Sequence, residues 1–76
     1  MKTVEIVLTD SDIHAFSHEE NANNFAFNWW KEELTRSNPQ AENDPMFFDR
    51  VNEKVINSRS NPWSDLLGIF TLEVED

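Results

Sequence analysis

Cysteine and tyrosine are absent from this 76-residue chain, and glycine occurs once. Without thiols there is no disulfide, no thiolate metal site and no cysteine nucleophile. A domain this small normally needs such a staple, or a partner copy, to be more than marginally stable. Cations are scarce too: six Lys and Arg stand against 15 Asp and Glu, for a net charge of −9. A field of that sign repels nucleic acid and anionic membrane and attracts basic surfaces. No apolar run approaches the ~20 residues of a membrane-spanning helix. The opening MKTVEIVLTD has no apolar signal-peptide segment. The expectation is a soluble, cytoplasmic protein of a bacterial or host cell. A single glycine leaves no phosphate-cradling loop, there is no Walker-type lysine, and no Ser-His-Asp signature is visible. No enzymatic activity and no cofactor are therefore expected.

What is present is bulky. Six Phe and three Trp sit within a hydrophobic fraction of 38%, which argues against disorder despite the charge. Residues 1–76 read as one small acidic domain. The charge is uneven: residues 21–59 hold six acids and five bases, whereas the two ends hold nine acids and one base, Lys2.

Residues 3–9, TVEIVLT, alternate as a strand does, with Val4, Ile6 and Leu8 on one face and Thr3, Glu5 and Val7 on the other. Residues 68–75 repeat the pattern, with Phe70, Leu72 and Val74 opposed to Ile69, Thr71 and Glu73. The richer stripes, Val4/Ile6/Leu8 and Phe70/Leu72/Val74, are the expected core face of a sheet covered on one side. Between them a helix is predicted from His18 or Asn21 to Ser37, stopped by Asn38-Pro39. A second is predicted from Asp44-Pro45 to about Arg59, with Asp44 as N-cap and the stripe Phe47/Phe48, Val51, Val55. A short helical turn over PWSDLL is expected to close on Gly68 at positive φ. The fold class is α+β in the order β-α-α-β, with two antiparallel end strands covered on one face by two helices. Two strands alone are marginal, so the pattern demands either a further strand or a sheet continued into a second copy.

The first helix has too many aromatics for one stripe. On a helical wheel Phe27, Trp30 and Leu34 cluster, flanked by Asn23 and Ala26, while Phe25 and Trp29 fall nearly opposite with Arg36 below them. Either the second helix or the Trp63 segment, helped by Met46, wraps that second side, or a homodimer partner or a foreign protein covers it. Trp and Arg are frequent interface anchors.

His14 and His18 are the only histidines. On a helix they would share a face and could grip a metal. They lack HExxH spacing and a clear third ligand, so no metal site is expected. Asp10-Ser11-Asp12 reads instead as a turn, with Ile13 and Phe16 packing inward.

The leading expectation is a non-catalytic inhibitor that occupies a basic, nucleic-acid-binding surface of a partner protein, without touching nucleic acid or membrane itself. The carboxylates of Asp10, Asp12, Glu19, Glu20, Glu73 and Glu75 would steer the encounter, with Asp76 and Glu5 nearby. Phe25, Trp29, Arg36 and Trp63 would anchor it. In size and charge the chain resembles small phage or mobile-element inhibitors of the anti-CRISPR and anti-restriction type, a likeness of type carried by no motif. The alternatives are an apolar docking module, such as an immunity protein, antitoxin or small regulatory subunit, and a structural homodimer.

Overall fold

The computed structural model describes residues 2–75. Its elements are β1 (Lys2–Thr9), β2 (Ile13–Phe16), α1 (Glu19–Ser37), a single 3-10 turn (Ala41–Asn43), α2 (Phe47–Ser60) and β3 (Leu67–Val74). The class is α+β, with one antiparallel sheet in the order β2-β1-β3 and both helices on one of its faces.

The further strand that the pattern demanded is β2. It folds back on β1 with Phe16 opposite Glu5 and Ile13 opposite Leu8. The hairpin is tied by one side chain. The Thr9 hydroxyl accepts the Asp12 amide at 3.0 Å, and the Thr9 amide donates to the Asp12 carbonyl at 2.9 Å. The turn expected over Asp10-Ser11-Asp12 is thus held by the threonine that precedes it. Strand alternation sends Ile13 and Phe16 to opposite faces. Phe16 packs on Phe25, whereas Ile13 is 71% exposed, so only one of the two turns inward.

The helix-covered face is not the richer one. Val7, Ile69 and Leu67 form the sheet's share of the core. Ala22, Ala26 and Trp30 of α1, with Phe47 and Val51 of α2, complete it. Val4, Ile6 and Leu8 lie on the other face, in register with Leu72, Phe70 and Gly68. The expected core stripe is therefore the open one. The physical reason lies in the connection. β2 and β3 both run antiparallel to β1, so they are parallel to each other, and the chain between them is a crossover. Such crossovers keep one hand in nearly all sheets, which assigns the helices to one face whatever the apolar count.

The desolvation of Glu5 on the covered face is offset because α2 brings it a partner. Glu5 is 3% exposed and receives the Arg59 guanidinium at 2.5 Å, which also donates to Thr71 at 3.1 Å and to Asn23 at 2.7 Å. Burial pushes the Glu5 carboxyl up. The Thr71 hydroxyl and the Arg59 hydrogen bond and charge outweigh it and hold the carboxyl below its ordinary value. Ser58, also buried, accepts from Trp30 Nε1 at 2.9 Å and donates to the Lys54 carbonyl at 2.7 Å.

Helix α1 keeps its predicted span. Its aromatics are shared out within the chain, but the Phe25 side is met by β2 and not by the second helix or the Trp63 segment. Phe25 meets His14 and Phe16 of β2, Phe27 stacks on Phe48 of α2, and Trp29 sits edge-on to Trp30. Trp63 and Met46 take no part and are exposed. Helix α2 begins later than expected, because Asp44-Pro45-Met46 forms a turn in which the Asp44 carboxylate accepts the Met46 amide at 2.9 Å. The helical turn expected over 62–67 is absent. Gly68 is a residue of β3 with no positive φ. Its role is close approach: a Cβ there would collide with the Pro62 carbonyl oxygen.

Candidate docking surface

The open face of the sheet is apolar along most of its length. Val4, Ile6 and Leu8 run down β1, Ile13 and Ala15 lie beside them on β2, and Phe70, Leu72 and Val74 on β3. Ile13 is 71% exposed, Leu72 52% and Val74 41%. At the β3 side the segment 61–66 comes against the sheet. Pro62 lies against Gly68, and Trp63, 81% exposed, holds its ring 5.1 Å from that of Phe70. Among the described residues Lys2, at one end, is the only charged one whose register places it on this face.

Soluble monomers seldom leave so large an apolar area open. Covering the exposed parts of Ile13, Trp63, Leu72 and Val74, with the half-buried Val4, Ile6, Leu8 and Phe70, would remove on the order of 600–700 Å² from water, close to the ~800 Å² per partner of a standard interface.

The carboxylates gather at the two ends of the sheet rather than in one patch, and at the Thr3 end strand alternation turns Glu73 to the helix side. Asp10 and Asp12 are in the hairpin turn beyond Thr9. Glu73 is paired with Thr3 at the other end, with Glu75 beyond it. Glu19 and Glu20 begin α1 three residues after Phe16, which is in register with Glu5. They belong to the Glu73 end. Six residues of strand separate Thr3 from Thr9, so the two acidic ends lie roughly 20 Å apart. Asp76 lies outside the described residues.

The central bases do not offset this field toward a partner, because each is engaged at home. Arg36 pairs with Glu33, Arg50 with Asp44, Lys54 with Asp65 and Arg59 with Glu5. Lys31 lies over the Phe48 ring at 5.9 Å, and Lys54 also lies over Trp30 at 5.0 Å.

Of the residues expected to make contact, Trp29, Arg36 and Asp10 come together, lining a small recess with Ser11, Glu33 and Leu66 at the hairpin end. Phe25 and Trp29 are half-buried against the core. Trp63 is the aromatic among them that lies exposed. His14 and His18 do not share a helix: His14 is on β2, its ring 4.4 Å from that of Phe25, and His18 is the extended N-cap of α1. Among the described residues no group of three metal-ligating side chains converges, and no helix is long and apolar enough to cross a membrane.

Sequence reasoning missed the open face because it had assigned those same residues to the core. One signal pointed the other way: Val7 and Ile69 give each strand a second apolar side, so neither strand had a single core face. No family model matches the chain, and no curated protein or solved structure is significantly similar to it.

Proposed function

We propose that this chain is a non-catalytic protein-binding module that inhibits by occupancy. It docks through the open sheet face, with Trp63 at the margin, onto an apolar patch flanked by basic residues. Patches of that kind occur on proteins that handle nucleic acid, and the acidic ends would take the place of phosphates on either side of the apolar centre. The observation that carries the reading is the apolar sheet face, on which Lys2 is the one charged residue that the register places among the described residues, with carboxylates at both ends of the sheet. Opposite charge at the rim raises the association rate and selects the partner, while the apolar centre holds it.

The test is retrieval of partners from a cell lysate by the wild type, Trp63→Ala and Leu72→Asp, washed at low salt and at about 1 M salt, where the screening length falls to ~3 Å. The expected result is a basic, nucleic-acid-binding protein that the wild type retains and both variants lose, and whose nucleic-acid binding the wild type blocks. A partner retained equally by both variants would overturn the reading. A partner lost by the variants but indifferent to salt would leave the apolar centre and remove the acidic rim.

A further inference from the structure

The strand order β2-β1-β3 gives β3 a neighbour on one side only. Its two halves differ. Leu67, Gly68 and Ile69 are buried, and Phe70 lies under Trp63. Thr71, Leu72, Glu73 and Val74 are all exposed. Half of the outer edge therefore presents unpaired amides and carbonyls, a template for another strand.

We propose that this half-edge takes up an extended segment of a partner protein whose side chains alternate apolar and basic. The inference rests on the docking reading and specifies its mode, strand addition. The alternation follows from register. A strand laid beside Thr71–Val74 sends every second side chain to the open face, where Leu72 and Val74 continue the apolar surface of Val4 and Ile6. The side chains between fall on the opposite side, beside Thr71 and Glu73 and near Glu75. The cation closest to Thr71, Arg59, is already paired with Glu5, so it does not cancel that acidic side. Apolar residues are accepted on one side and Lys or Arg on the other.

Charge also decides against a second copy as occupant. Antiparallel self-pairing centred on Glu73 or Val74 sets Glu73 opposite Glu73 or Glu75 of the other copy. Like charges directly opposite on neighbouring strands are destabilising. Centring on Leu72 avoids this but draws in Phe70, which Trp63 covers.

The experiment is residue-level hydrogen exchange on the intact chain, with three synthetic octapeptides as probes. One alternates Val and Lys. One has the same composition in the order Val-Val-Lys-Lys. The third is the alternating peptide N-methylated at its four central residues, which removes its donors on both edges. The alternating peptide is expected to slow exchange of the outward amides among Thr71–Val74 by at least about tenfold, and the other two to leave them unchanged. Glu73→Lys, at an exposed position, should transfer the preference to an alternating Val-Glu peptide. Equal protection by the scrambled or methylated peptide would overturn strand addition, as would no protection by any. Protection that rises with protein concentration alone would give the edge to a second copy, and overturn it too. None of these outcomes touches the docking reading, which stands or falls on retention of a partner by Trp63→Ala and Leu72→Asp.

Discussion

The two faces of one sheet, built from the same three strands, have opposite fates. The covered face holds Glu5, Val7, Thr9, Ile69 and Leu67 under two helices, and the carboxylate buried there, Glu5, is fully partnered. The open face holds Val4, Ile6, Leu8, Leu72 and Val74, is the more apolar of the two, and lies under little more than Trp63. Burial therefore did not follow hydrophobicity strand by strand. A polar residue was taken inside because a partner reached it, and apolar ones were left outside because the chain crossed on the other side. A surplus of apolar surface left this way is a functional indication, whereas a surplus taken inside is only a core.

The difference can be broken most strongly at Arg59. Arg59→Met keeps much of the stem's packing but leaves Glu5 buried without its cation. The expected loss is about 3–5 kcal/mol. In a chain of this size that lowers the melting temperature by roughly 4–8 °C per kcal/mol in a thermal scan. The same pair sets the pH response. Because the folded Glu5 carboxyl titrates below its unfolded value, its contribution is fully present above the unfolded pKa and fades as pH falls through the folded one. Wild-type stability should therefore drop on acidification through the carboxylate range. Glu5→Gln should be less stable at neutral pH and show a flatter acid limb.

Next in size is the contrast between the buried start and the exposed end of β3. Ile69→Ala, inside, should cost about 3 kcal/mol in chemical denaturation. Gly68→Ala should cost about 1–3 kcal/mol, because the new methyl meets the Pro62 carbonyl and the 61–66 segment must move. That displacement should also shift the fluorescence of Trp63. Leu72→Ala, outside, should stay within about 0.5 kcal/mol of wild type. If Leu72→Ala proved as damaging as Ile69→Ala, the open face would not be open in solution, and the comparison would fail.

Local signals made much of the fold legible. Both end strands announce themselves by alternation, and α1 by its apolar spacing and the Asn38-Pro39 stop. The short β2 was not legible, since four residues with two polar-looking flanks carry too little periodicity to separate from a turn. Gly68 was misread for a related reason. A glycine signals either a positive φ or a close approach, and only the position of Pro62 decides between them. Of the candidate site, the acidic ends and Trp63 were legible as exposed features. Phe25 and Trp29 were not, because a helical wheel shows that a second aromatic side exists but not that β2 meets Phe25 and that the hairpin turn comes beside Trp29.

By itself, then, the sequence determined the α+β class, the acidic field, the absence of thiol chemistry and the spans of most elements. These depend on composition and on residues within a turn or two of each other. The tertiary structure alone decided which sheet face meets the helices, which carboxylate is buried and which aromatics stay free. Those follow from the crossover between β2 and β3 and from the reach of Arg59 to Glu5, contacts between residues far apart in the chain whose geometry no local pattern encodes.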